Sequence, residues 1–429
     1  MPNTRILWLI WLGLALAATA VLSTALTSSP AMFQSGELTD GHHQFGVSCS
    51  ACHTEPFGGG PVIEKACRDC HQADLAHADD SHPDRKFTDP RNASLLERID
   101  ARKCVTCHTE HRPDRTHGAG VTIPKNFCIE CHSDVGSERP SHQGASFKTC
   151  AGSGCHNFHD NRALYEAFLE RHMDQPPLLD SPFRLPRGDY HAEAPLTASD
   201  ADGESLDDSR VLDEWALSAH ARGDVNCRDC HAPAGEWTDR VEKNVCAECH
   251  EQEMDGFIKG RHGMRAAVAD HTLLVADARL PMKSEAVGRR PGCNQCHSDH
   301  DYDTRRAAAT SCLECHDDEH SRNWRDSPHG QLWQSELDGR APKGSGVACA
   351  TCHMPRQEHR GTVTVEHNQN AFLRPVETMG REVCMQCHGL PFSLDSLADD
   401  ELLKNNFQGP PGVRVESFDW VRERLDRSD

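Results

Sequence analysis

Twenty-two cysteines and 29 histidines in 429 residues are the side chains with chemistry to offer. Every cysteine falls into a pair followed directly by histidine. Ten pairs have the form Cys-x-x-Cys-His: Cys49/Cys52 with His53, Cys67/Cys70 with His71, Cys104/Cys107 with His108, Cys128/Cys131 with His132, Cys227/Cys230 with His231, Cys246/Cys249 with His250, Cys293/Cys296 with His297, Cys312/Cys315 with His316, Cys349/Cys352 with His353, and Cys384/Cys387 with His388. The eleventh, Cys150/Cys155 with His156, has four residues between its thiols. Every thiol is assigned, which excludes a disulfide scaffold. Zinc knuckles and redox dithiols also use Cys-x-x-Cys, but neither needs a histidine after each pair. At ordinary composition histidine would follow a given pair roughly one time in twenty to forty. The pattern is the attachment signature of c-type haem. The two thiols add to the haem vinyl groups, and the adjoining histidine is held under the iron as its proximal ligand. Eleven covalent haems c are expected, with these eleven histidines on the irons.

Eighteen histidines remain, enough to supply a second axial ligand to every iron. The candidates are His42, His82, His111, His117, His142, His159, His172, His220, His262, His300, His320, His329 and His367. Four of them, His111, His159, His300 and His320, follow a proximal histidine by three or four residues. Such a histidine lies on the same side of its own haem plane, so it should reach a neighbouring haem instead. His43, His191 and His271 read as ordinary surface or propionate-bonding histidines, and Met354 as packing.

The elements that position these groups must be unusual. The motifs run from Cys49 to His388, 340 residues for eleven haems, about 31 residues each. Only 37% of the chain is hydrophobic and 6% aromatic, too little for conventional cores. The expected fold is mainly α with much irregular structure, a thin wrapping around a haem-packed core. Residues 1–35 read as a transmembrane helix or signal anchor with its juxtamembrane stretch. The 21-residue apolar run Ile6–Leu26 is about 30 Å long as a helix, enough to span a bilayer. The alternative is a cleaved signal peptide, with Ala18-Thr-Ala20 or Ser23-Thr-Ala25 before the cut. Either exports the chain, and no cysteine stands in a lipoprotein cleavage site. A bacterial periplasmic location, tied to the inner membrane, is expected.

Residues 36–174 form a five-haem module. Residues 175–208 read as an acidic, proline-rich linker; from Gln175 to Trp215 ten acids oppose three arginines. Residues 209–429 form a six-haem module. His42 and His220 each precede their next cysteine by seven residues, and three motif pairs start 18, 19 and 19 residues apart. Two related modules are inferred. Leu164, Phe168 and His172 share a helical face, and Phe418, Val421 and Leu425 suggest a closing helix.

The second group contains Trp215-Ala-Leu-Ser-Ala-His220, Gly260-Arg-His262-Gly, Ser327-Pro-His329-Gly and Cys349-Ala-Thr-Cys352-His353-Met-Pro. With these motifs residues 205–390 resemble the superfamily of hydroxylamine oxidoreductases, octahaem reductases and pentahaem nitrite reductases. The first group, with Cys104-Val-Thr-Cys107-His108-Thr-Glu-His111, is similar to cytochrome c3 and c7 modules, which are electron carriers. Two catalytic signatures of the superfamily are missing. None of Tyr165, Tyr190 and Tyr302 follows His388, where hydroxylamine-oxidising members carry a crosslinking tyrosine. No motif ends in lysine, the catalytic ligand of many nitrite reductases.

These features point to electron transfer between an inner-membrane quinol-oxidising donor and a periplasmic acceptor, with no catalytic residue to name. The alternative is a reductase of a small nitrogen or sulfur compound at one open-coordinated haem; a polymerising filament is a third reading. The formal charge of −21 becomes more negative with each ferric haem whose propionates ionise. Nucleic acid is excluded as a partner by repulsion, and a basic redox partner is favoured.

Overall fold

In the computed structural model each described motif is wound into a helical turn, alone or within a longer helix. The backbone N–H of His53, His108, His132, His250, His316 and His388 donates to the carbonyl of the first cysteine of its own motif at 2.8–2.9 Å. This i→i−4 bond sets the two cysteines on one face and brings the histidine beside the first of them. The structure describes residues 4–28, 34–55, 58–78, 82, 87–117, 120–139, 142–144, 158–160, 164–185, 198–201, 209–268, 273–359 and 361–428. The fifth motif, with Cys150, Cys155 and His156 expected to bind haem, lies outside these residues, as do His191 and His271.

Among the described residues the architecture is mostly helical, with much irregular chain and one small hairpin. Helices of seven residues or more are α1 (Thr4–Ser28), α2 (Gly59–His77), α3 (Glu166–His172), α4 (Ser209–Leu217), α5 (Glu251–Lys259), α6 (Pro328–Leu337), α7 (Val376–Glu382), α8 (Leu390–Ala398) and α9 (Ser417–Ser428). Strands β1 (Arg356–His359) and β2 (Thr362–Val365) pair antiparallel.

The chain divides into two compact units, Met1–Ser133 and Asp134–Asp429. The first contains α1, whose segment Thr4–Thr24 is apolar and long enough to cross a membrane. It also contains α2, which carries the second motif. From α2 the Glu64 carboxylate accepts the backbone N–H groups of Cys104 at 2.9 Å and Val105 at 3.2 Å. This caps the helical turn of the third motif and ties it to the second. Ala66 is the one buried apolar residue among the described residues of this unit.

The second unit has two small apolar clusters. One joins Leu164, Leu169 and Met173 near α3 to Leu390 and Leu394 of α8 and Phe418 and Val421 of α9. The other gathers Ala309, Leu313, Trp324, Trp333 and Ala348. The beginning of the acidic, proline-rich stretch is built into this unit. Leu179 and Phe183 donate backbone N–H groups to the Cys387 and Gln386 carbonyls, both at 2.9 Å. The Arg184 guanidinium donates to the carbonyls of Gly344, Ser345 and Gly346 at 2.8–3.0 Å.

Candidate metal centres

Eight motif histidines face a second histidine from outside the motifs. The ring centres are 6.0 Å apart for His42 and His71, and 6.2 Å for His82 and His132. In the second unit the pairs are His220 with His250 (6.0 Å), His300 with His231 (6.2 Å) and His262 with His316 (6.1 Å). The remaining three are His367 with His297 (6.2 Å), His320 with His353 (6.3 Å) and His329 with His388 (6.1 Å). An imidazole nitrogen lies roughly 2 Å from a metal it binds, and its ring centre roughly 1 Å further. Two imidazoles on opposite faces of one iron therefore stand roughly 6 Å apart. The donor sets and spacing fit c-type haem.

The pairing is non-local and repeated. His42 and His220, each seven residues before a motif, meet the histidine of the motif after that one, His71 and His250. His300 and His320, which follow His297 and His316 closely, meet His231 and His353 instead. All six described motif histidines of the second unit are paired this way.

Local structure fixes the facing histidines. Ser327 caps α6, accepting the Gly330 N–H at 3.1 Å, with Pro328 at the first turn, so His329 sits at the rigid start of that helix. A Cβ on Gly330 would stand 2.0 Å from the Trp324 carbonyl oxygen, and one on Gly263 2.3 Å from that of Phe257. The glycine after His262 and after His329 therefore admits close backbone packing. Outer ring nitrogens are held by backbone: the carbonyls of Leu403, Val365, Thr238 and Pro177 accept from Nδ1 of His320, His367, His231 and His388. Such bonds orient a ligand and, at His231, His367 and His388, leave Nε2 for the metal; His320 Nε2 also lies 3.1 Å from Asn406 Nδ2.

Electrostatics agree with buried sites. Burial first, then neighbouring imidazoles, pushes His262, His297, His329 and His353 down to about 4. Neutral imidazole is the form that binds a metal. At Glu110, burial raises the carboxyl, but hydrogen bonds from His42 and Thr39 outweigh it and hold it at about 2.

Cysteines of successive motifs also meet. Hydrogen bonds link Cys67 with Cys104, Cys246 with Cys293, and Cys312 with Cys349. Cys52 lies near Cys67, Cys230 near Cys246, Cys296 near Cys312, and Cys352 near Cys384, close enough for the charge of one thiolate to be felt at the other. In the second unit these neighbouring cysteines run through the six described motifs in chain order, and in the first unit through the first three.

The attachment cysteines are not equally enclosed by the polypeptide. Cys49, Cys70 and Cys249 are exposed on the polypeptide, and the other described motif cysteines are partly buried. The reason is clearest at Cys249. Its motif partner Cys246 turns inward to Cys293, whereas Cys249 lies in the exposed run from Glu248 to Gln252. A haem attached there has its second thioether at the rim of the unit.

The other candidates take no part in the eight pairs. His111 is held by the Gly36 carbonyl at 2.8 Å. His117 donates its backbone N–H to Val121 at 2.7 Å, and His142 donates its own to Arg139 at 2.9 Å. His159 stands edge-on to Phe158 and His172 packs on Phe168, with ring centres 5.2 and 4.1 Å apart. Of the three histidines read as ordinary, His43 is described and lies 3.1 Å from the Asp40 carbonyl. Sequence reasoning missed Glu110, although it stands two residues after His108. It also missed Tyr302, whose ring meets His220 edge-on at 4.4 Å and whose hydroxyl burial pushes above its usual range.

A family model for cytochrome c3 matches residues 41–133, and one for cytochrome c554 and c-prime matches residues 245–309. No curated protein and no solved structure matches the chain. With the motifs and facing histidines, the two family matches make this a multihaem c-type cytochrome with a haem-based electron-transfer role.

Proposed function

We propose that the chain is an eleven-haem electron carrier whose irons each hold two axial histidines. It would be fixed to the bacterial inner membrane by α1, take electrons from a quinol-oxidising membrane donor and deliver them to a basic periplasmic acceptor. The supporting observation is the second unit, where all six described motif histidines face another histidine at 6.0–6.3 Å. An iron held from both sides has no open position for a substrate. The haem supplies a one-electron Fe(III)/Fe(II) couple. The protein fixes its axial ligands, excludes water and brings neighbouring sites together.

The route in the second unit would follow chain order through its described motifs, because a cysteine of each lies near one of the next. Covalent attachment at neighbouring cysteines would keep adjacent porphyrins close, so each transfer is short. The superfamily resemblance of residues 205–390 is a likeness of scaffold, and a scaffold does not fix an activity. With a second histidine facing eight of the motif histidines and both catalytic signatures missing, the reductase alternative is disfavoured.

The test is ligand binding to the reduced full-length protein. A carrier leaves carbon monoxide unbound at every haem. One equivalent bound, with a matching high-spin ferric signal before reduction, identifies an open site and the reductase reading. Haem content by mass and pyridine haemochrome should give eleven per chain, including the one on Cys150 and Cys155.

A further inference from the structure

The repeated pair His42/His71 and its counterpart His220/His250 occupy equal places in the two units, yet their surroundings differ. Glu110 Oε1 lies 2.7 Å from His42 Nδ1. The carboxylate is fixed from behind, since Thr39 donates its backbone N–H to Oε2 at 3.0 Å and its hydroxyl to Oε1 at 2.8 Å. At the counterpart, His220 Nδ1 is buried with no hydrogen-bond partner among the described residues. The corresponding acid two residues after the motif histidine is Asp299, one methylene shorter, and the Tyr302 ring lies against His220 instead. The opposite rings are alike: Asp74 is 3.4 Å from His71 Nδ1, and Glu253 is 3.8 Å from His250 Nδ1. The difference is therefore concentrated on the side of His42 and His220.

We propose that Glu110 is a positioning and tuning residue that holds the haem between His42 and His71 at a lower reduction potential than the haem between His220 and His250. The inference rests on the axial-ligand reading above. A carboxylate accepting the Nδ1–H of an axial imidazole raises its basicity and strengthens its bond to the metal. Ferric iron carries one more positive charge than ferrous iron, so a more basic ligand and a nearby fixed anion both favour the oxidised state. Partial burial of Glu110 limits screening by solvent. At His220 neither effect operates from that side, and apolar contact with Tyr302 favours the less charged ferrous state. Electrons entering the first unit would then occupy a site energetically uphill of its counterpart, which gives transfer toward the second unit a downhill sense.

The experiment is a potentiometric titration of the full-length holoprotein, read optically and by EPR, comparing wild type with Glu110→Gln, Glu110→Asp and His42→Ala. Glu110→Gln keeps the size and a hydrogen-bonding group but removes the charge. One haem's share of the titration should move to higher potential by about tenfold in its reduction equilibrium, ~59 mV for a one-electron couple. Its spectrum should stay low-spin, and Glu110→Asp should move it less. His42→Ala should convert one iron to high spin. Unchanged potentials in Glu110→Gln, with His42→Ala still producing the high-spin iron, overturn the tuning role alone. An unchanged low-spin spectrum in His42→Ala overturns the ligand reading beneath it. A Glu110→Gln spectrum that itself turns high-spin shows Glu110 to be needed for ligation and overturns pure tuning.

Discussion

The two units use one motif but are held together differently. In Asp134–Asp429, α3, α8 and α9 close an apolar cluster around Leu164, Leu390 and Phe418, and Trp324 and Trp333 anchor a second. In Met1–Ser133, Ala66 is the one buried apolar residue among the described residues, beside the polar Thr39, Gln44 and Thr122. A domain that buries so little hydrocarbon cannot offset its chain entropy by side-chain packing alone. The first unit must rely on its porphyrins for a core, whereas the second has a partial protein core as well. Haem attachment is thus part of folding in both, and nearly all of it in the first.

Removing a haem should separate them most. Cys67→Ser with Cys70→Ser deletes the attachment in α2, and Cys384→Ser with Cys387→Ser deletes the last one. Limited proteolysis with haem staining should show the first double variant cleaved throughout the first unit while a haem-bearing second-unit fragment survives. The second double variant should lose one haem and keep its α3–α8–α9 cluster. Equal resistance in both would break the comparison.

A smaller but sharper effect comes from single facing histidines. His262→Ala should leave one iron with a vacant face, giving one high-spin ferric signal and one equivalent of carbon monoxide bound on reduction. Equivalent behaviour of His82→Ala would extend that ligand rule to the first unit. Packing changes come next. Gly330→Ala drives a Cβ into the Trp324 carbonyl and should cost about 1–3 kcal/mol by thermal unfolding, typical of overpacking. The smallest effect is on partners: electron exchange with a basic soluble cytochrome should slow as ionic strength rises.

Much of this was legible in the sequence because the motif is local. Five consecutive residues make one helical turn, so cysteine spacing specifies both backbone and attachment. Spacing does not report exposure, however, and the outward position of Cys249 could not be read from it. The closing helix was legible from Phe418, Val421 and Leu425. The second-unit histidines marked by spacing, from His220 to His367, are those the fold sets opposite motif histidines. Their partners were not legible. His297 meets His367 across 70 residues and His388 meets His329 across 59, and no local periodicity encodes such returns. The seating of Leu179 and Phe183 on Gln386 and Cys387 was equally hidden, since backbone hydrogen bonds leave no trace in composition. Glu110 was overlooked because a carboxylate near a motif looks like any surface acid until Thr39 and His42 are brought to it.

If every iron is held by two histidines, as proposed, the chain is a carrier. EPR spin quantitation of the fully oxidised, full-length protein tests it most directly. The expected result is low-spin ferric haem only, with intensity matching the haem content. A high-spin ferric signal amounting to one iron per chain would contradict it.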